Sequence, residues 1–172
     1  LISMFISKNL NDGFLLNTIL ITSAFFLFFI TLKDFIFMKF KNFSQNIAHF
    51  GFSLLILSIL FNNVFSSEIV TNLKIGESFQ SEKFKINFEK IKKKNKQNYK
   101  SIVGKFNIEN PNGTIDVLEP ELRIYNQPNI VTSEADIKTN IYSDKFMTMN
   151  LVQNQEYFNI RYQLKPFMLW IW

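Results

Sequence analysis

Ile47–Phe65 reads IAHFGFSLLILSILFNNVF, and directly after it, at Ser66, the pattern of the chain changes. These nineteen residues carry no charge while His49 is neutral. At about 1.5 Å of rise per residue, a helix of that length covers roughly 28 Å, close to the hydrocarbon thickness of a bilayer. Upstream, Phe14–Leu32 reads FLLNTILITSAFFLFFITL, again nineteen residues without charge. The apolar core of a cleavable signal peptide is shorter, about 7–15 residues, and small residues follow it. Here Lys33 and Asp34 follow. Residues 14–32 and 47–65 therefore read as two transmembrane helices. The linker 33–46 holds Lys33, Lys39 and Lys41 against one acid, Asp34. Short lysine-rich loops stay on the cytoplasmic side, so both helices are expected to run outward from a cytoplasmic linker. Asn62 and Asn63 then fall at the outer end of the second helix, within reach of headgroups and water.

From Ser66 to about Lys165 apolar and polar residues alternate, the period of a half-buried strand. Phe84, Ile86 and Phe88 alternate with Lys85, Asn87 and Glu89. The same holds for Ile102–Glu109 and for Phe158–Leu164. Asn110-Pro111-Asn112-Gly113 is a turn, because Pro fixes φ and Asn-Gly accepts positive φ. It should join the Ile102 strand to Thr114–Leu118 as a hairpin. The fold class that follows is a membrane α-helical bundle segment plus an extracytoplasmic all-β domain, residues 66–165, built as a small antiparallel barrel or sandwich. The lysine run from Lys90 to Lys100 is expected to be a solvated hairpin tip. Pro166 closes the last strand, and Trp170 and Trp172 in PFMLWIW suit a membrane interface. Residues 166–172 are expected to open a further transmembrane helix, as part of a longer polypeptide.

Composition excludes several classes. The net charge is +5, concentrated in the Lys90–Lys100 run. No basic surface interleaved with aromatics and no reading helix accompanies it, so nucleic-acid binding is not expected. The absence of cysteine rules out disulfides, zinc ribbons, iron–sulfur clusters and a cysteine nucleophile within this chain. The β-rich part has no histidine, no glycine-rich phosphate loop and no nucleophile elbow, and its acids are scattered. Its densest polar–aromatic stretch is Leu118–Tyr125, which reads as the start of a strand with a local Glu–Arg pair.

His49, the only histidine, lies within the second helix. An ionisable group inside a span is costly and marks a functional candidate. Its imidazole is a suitable haem ligand, and Gly51 and Ser53 would let a flat macrocycle or another helix approach. A neutral histidine bonded to a neighbouring helix, or facing the headgroups, is the alternative.

Ile47-Ala48-His49-Phe50-Gly51-Phe52, Glu121-Leu122-Arg123-Ile124-Tyr125 and Thr132-Ser133-Glu134-Ala135-Asp136-Ile137 occur in that order. Ile160-Arg161-Tyr162-Gln163-Leu164-Lys165-Pro166-Phe167-Met168-Leu169-Trp170-Ile171-Trp172 closes the series. Their order and spacing, over roughly Asn46–Trp172, resembles the C-terminal part of the CcmF family, the membrane haem lyase subunits of cytochrome c maturation. The closing segment is the most specific piece. The resemblance implies an enzyme part that attaches haem covalently to apocytochrome c through the thiols of a C-x-x-C-H motif. It implies an inner-membrane, multi-pass location with the β-domain in the periplasm, or the mitochondrial inner membrane if the chain is organelle-encoded. Implied partners are a haem-delivering chaperone, other maturation subunits and apocytochrome c. The family's tryptophan-rich haem-handling segment lies upstream of the matched region, so no catalytic residue is expected here. The family also holds a b-type haem between two membrane histidines, and His49 stands at the second position: it is the implied axial ligand of haem b and the only implied metal-binding residue. Two positions depart from the family pattern: Asp144-Lys145-Phe146 replaces an Asp-Leu-Tyr-like stretch, and Leu122 stands where a basic residue is usual. A rival reading is a non-catalytic membrane assembly or secretion protein whose β-domain docks a partner. It leaves the intramembrane histidine and the ordered match unexplained.

Overall fold

The computed structural model describes residues 14–37, 42–81, 84–152 and 156–172. They form two compact units: the helices with residues 140–143 and 165–172, and a β-domain of residues 67–139 and 144–164.

In the first unit, helix α1 is Phe14–Ile36 and α2 is Phe43–Phe65, 23 residues each. Both are long and apolar enough to cross a membrane. Each continues past its apolar run, α1 through Lys33 and Asp34, α2 from Phe43 through Asn46. Polar side chains at a helix end can reach water without breaking the backbone ladder. Lys39 and Lys41 lie outside the described residues. Small polar residues set the helix–helix contact: the Thr31 and Ser53 hydroxyls hydrogen-bond at 2.7 Å in a buried position. Phenylalanines close around it, with Phe35 stacked on Phe50 at 5.1 Å and Phe25 against Phe61 at 5.8 Å. Small side chains permit close approach, and a satisfied hydroxyl pair removes the cost of burying both. Asn62 differs from expectation. Its amide donates to the Pro166 carbonyl at 2.7 Å, so a backbone acceptor from the same unit satisfies it.

After Pro166 the backbone turns at Phe167, whose φ is +57°, and Met168–Trp170 forms a 3-10 turn. Met168–Trp170 lies within residues 166–172, the stretch expected to open a further span. The Trp170 indole donates to the Ile141 carbonyl at 3.0 Å, and Trp172 is exposed.

Among the described residues the β-domain has ten strands. One sheet runs in the order β1 (Ser67–Leu73), β10 (Phe158–Pro166), β9 (Ser143–Leu151) and β8 (Asp136–Thr139). The other runs β2 (Ser78–Gln80), β3 (Lys85–Asn95), β4 (Tyr99–Glu109), β6 (Glu121–Tyr125) and β7 (Val131–Glu134), with β5 (Ile115–Leu118) pairing β4 beyond the end of β6. The described pairings are antiparallel. Of the two expected architectures, the sandwich is the one found.

Alternation explains the core. Ile86, Phe106, Ile108, Met147, Met149 and Ile160 are fully buried, drawn from both sheets. Phe88 stacks on Phe106 with centroids 4.3 Å apart and meets Phe158 edge-on at 5.5 Å. Gly113, at φ +77°, closes the Asn110–Gly113 turn between β4 and β5 as expected.

The lysine run is placed differently from the expectation. It is strand nearly throughout: β3 continues to Asn95 and β4 resumes at Tyr99, leaving only residues 96–98 as the tip. Register passes a bulge between Phe88 and Lys90, then pairs Lys92 with Val103 and Lys94 with Ser101. Backbone pairing, which does not depend on side-chain polarity, carries the ribbon past the edge of the core.

Candidate functional site

His49 stands in the second turn of α2. The helix turns Ser53, Leu57 and Ser58 inward. Ala48, His49, Gly51 and Phe52 lie on its exposed side. A methyl group built at Gly51 would meet nothing within 4 Å. Ser53, by contrast, is committed to Thr31 and belongs to the helix–helix contact. An exposed imidazole is a competent donor to haem iron. The donor fits one half of a two-imidazole site. A second imidazole for such a site would have to come from outside this chain, whose only histidine is His49. No cluster of three or more His, Cys, Asp or Glu suited to a metal occurs among the described residues.

The same unit contains an apolar cavity of about 310 Å³. Phe28, Leu57 and Phe61 line it from the helices, and Tyr142, Phe167 and Trp170 from the loop and tail. Phe167 is fixed there by its backbone N–H, which donates to the Tyr142 carbonyl at 2.8 Å, and by ring contact with Phe61 at 5.4 Å.

In the β-domain the charged groups are largely matched. Asp116 on β5 receives hydrogen bonds from Lys138 at 2.6 Å, from Asn110 at 2.9 Å and from Lys145. Burial pushes its carboxyl up most strongly, but the bonds from Lys138, Lys145 and Asn110 together outweigh that and hold it well below the usual carboxylate range. Because β5 lies in one sheet and β8 and β9 in the other, this cluster clasps the sandwich. Two further bonds cross between the sheets: Asp136 accepts from the Glu119 amide at 2.6 Å, and the Ser133 hydroxyl donates to the Met149 carbonyl at 2.7 Å. The expected Glu121–Arg123 pair is present at 3.2 Å. Glu134 adds a second carboxylate at 3.7 Å, and the Tyr99 ring lies 5.1 Å from the guanidinium carbon. Next to the bulge in β3, Lys105 and Lys90 hydrogen-bond Glu89 and hold its carboxyl down at about 2. These acids are neutralised by neighbouring bases, an arrangement that holds strands together and leaves no free acid–base couple. Local sequence gave no sign of the Asp116 cluster, since its lysines lie 22 and 29 residues away. The departure at Lys145 thereby finds its reason: the lysine is an internal partner of Asp116.

Residues 64–166 match the family described as the CcmF C-terminal beta-sandwich, which is more than half of the chain. The chain belongs to the CcmF family. CcmF of Escherichia coli K12, a cytochrome c-type biogenesis protein, is 26% identical over 125 residues, covering 73% of this chain and 19% of that protein. CcmF of Pseudomonas fluorescens is 27% identical over 128 residues, covering 74% and 19%. The chain thus spans about a fifth of the length of the curated CcmF relatives it matches. A solved structure described as the cytochrome c heme lyase CcmF shares the fold with a TM-score of 0.63 at 14% identity, covering 99% of this chain and 30% of that one. The CcmF match starts at Val64 and takes in the whole sandwich. His49 precedes it, and its reading rests on its placement in α2 and on the wider resemblance.

Proposed function

We propose that this chain is part of a haem lyase that attaches haem covalently to apocytochrome c, contributing a transmembrane haem b ligand and a periplasmic β-sandwich. The family match over residues 64–166 carries the reading. His49 is the proposed axial ligand: an outward-facing imidazole in a helix long and apolar enough to span a membrane. When bound, the haem would supply an electron to the incoming haem iron, whose reduced state favours thioether formation. The residues of this chain hold and orient. Thr31 and Ser53 fix the rotation of α2 against α1, and that rotation sends His49 to the exposed side. The second imidazole then comes from another part of the full-length protein. The proposed setting is an inner membrane crossed several times, with a haem-delivering chaperone, other maturation subunits and apocytochrome c as partners on the periplasmic side.

The test is an absorption spectrum of purified, dithionite-reduced full-length protein. Two imidazoles keep haem iron low-spin, with sharp α and β bands. His49→Ala should lose the haem or turn it high-spin, with protein level little changed because Ala is at home in a span. Cytochrome c assembly should fall in parallel. Phe52→Leu, one turn along and equally exposed, should leave the spectrum intact. A low-spin spectrum unchanged in His49→Ala would remove His49 from the iron.

A further inference from the structure

We propose that the free edge of β3, residues Lys90–Asn95, together with the cleft beside it, binds an extended acidic segment of another polypeptide as an added strand. The inference does not depend on the haem reading. Three observations carry it.

The first is an open edge. β2 pairs β3 only through Lys85–Asn87, and Gly76 and Glu77 extend that contact to Phe88. From Lys90 onward β3 pairs with β4 alone among the described residues. Its outer N–H and C=O groups are a template for one more strand.

The second is charge. Lys90, Lys92, Lys93 and Lys94 lie on this edge strand, Lys96 at the tip and Lys100 across from Asn95. Lys90 meets Glu89 at 3.3 Å and Lys92 meets Glu119 at 3.2 Å. Among the described residues Lys93, Lys96 and Lys100 make no ion pair, while Lys94 acts electrostatically on Glu121. Lysines on an edge ordinarily guard it against strand pairing. They repel a basic strand and cost a neutral one the desolvation of its neighbours, but they complement an acidic one.

The third observation separates guarding from binding. Beside the edge lies an open cleft of about 610 Å³, lined by Lys74, Ile75, Ile91, Lys93, Glu156 and Phe158. Its floor is apolar and its rim carries two lysines, one of which, Lys74, is already paired with Glu156 at 3.6 Å. Ile75 is half exposed there. Alternate side chains of a strand point to opposite faces. A strand added to β3 would therefore place every second side chain over Ile75 and Ile91 and the others beside Lys92 and Lys94. Main-chain bonds supply affinity in such pairing, and pockets for alternate side chains supply selectivity. A guard alone has no use for the cleft.

The test uses the 172-residue chain in neutral-lipid nanodiscs and a fluorescent peptide of alternating Glu and Val, about seven residues long to match a typical strand. Fluorescence anisotropy should show saturable binding that weakens as salt is raised. Lys93→Glu, or Lys92→Glu with Lys94→Glu, should weaken it roughly tenfold, as reversal of a few exposed charges implies. Circular dichroism should show an unchanged fold in these variants, whose altered side chains are solvent-exposed. The same peptide N-methylated at alternate residues keeps its charge but loses its donors, and should not bind. Absence of binding, equal binding of the N-methylated peptide, or unchanged affinity in the lysine variants would each overturn the proposal. So would binding abolished by anionic nanodiscs, because bilayer headgroups would then own these lysines.

Discussion

Asp116 stands on β5 of one sheet, and the lysines that neutralise it, Lys138 and Lys145, stand on β8 and β9 of the other. The Asp116 and Lys145 side chains are each only 13% exposed. Removing the carboxylate leaves Lys145 nearly buried without a counter-charge, a situation that costs about 3 kcal/mol. Asp116→Asn should lower unfolding stability by about that amount in chemical denaturation followed by circular dichroism. Lys145→Met added to it should restore much of the loss, because an apolar chain of similar length then fills the site. The pH dependence has a definite sign. A carboxyl held down in the fold stabilises fully above its unfolded value, about 3.9 for Asp. That contribution is lost as pH falls from there through the folded value. Asp116→Asn should therefore show a shallower acid limb below about pH 4. Equal limbs in both proteins would mean that the clasp does not hold the charge. Glu89 acts with the same sign, but it is solvent-screened and weaker. None of this was legible along the chain, where Asp116 is one acid of a scattered set. His49 stood out from the sequence for the opposite reason: the apolar residues around it mark an ionisable group without any knowledge of its partners.

Among elements, β4 shows what alternation reveals and what it hides. Its inward positions were readable from the period of two, and Gly104 occupies one of them. A Cβ at Gly104 would lie 2.7 Å from Cε2 of Phe106 and 2.8 Å from Sδ of Met149, on β9 of the facing sheet. Met149 can bend away, but the Phe106 ring is stacked on Phe88 at 4.3 Å and has no room to yield. Overpacking of this kind costs typically 1–3 kcal/mol. Gly104→Ala should lower the thermal midpoint, whereas Gly51→Ala, in open space, should leave it unchanged. A Gly104→Ala protein as stable as the parent would show that the two sheets separate more easily at this point than their packing implies. The alternation did not show that Gly104 is a point of close approach, since no periodic signal encodes the facing sheet. It also missed the length of β3. Beyond Ile91 the side chains of β3 itself are exposed, so its polarity stops alternating while the hydrogen-bonded register with β4 goes on to Asn95 and Lys100.

At the scale of the whole molecule, the two-part architecture was legible because hydropathy changes period at Ser66, where α2 ends and β1 follows at Ser67. The way residues 140–143 join the helical unit was not, since it is a contact between stretches far apart in sequence. The short tether has a consequence for orientation. Helix α2, 23 residues long, reaches about 35 Å at 1.5 Å per residue, enough to cross a bilayer. If it crosses, the segment before Phe43 and the β-domain after Ser66 emerge on opposite sides. Lys33, Lys39 and Lys41 against Asp34 would then favour the cytoplasm for the first of these. Lys33 alone would be weak support, because a cation in the last turn of α1 also complements the helix dipole. The β-domain's own charges do not vote, since long segments translocate largely regardless of charge. The chain has no cysteine, so single cysteines report cleanly. Asn42→Cys replaces an N-cap that makes no side-chain capping bond, and Asn98→Cys sits in the exposed tip between β3 and β4. In right-side-out membrane vesicles, a membrane-impermeant maleimide should label the cysteine at position 98 at once and the one at position 42 only after permeabilisation. The reverse pattern would invert the orientation and put the sandwich in the cytoplasm, and labelling of both without permeabilisation would mean that α2 does not span.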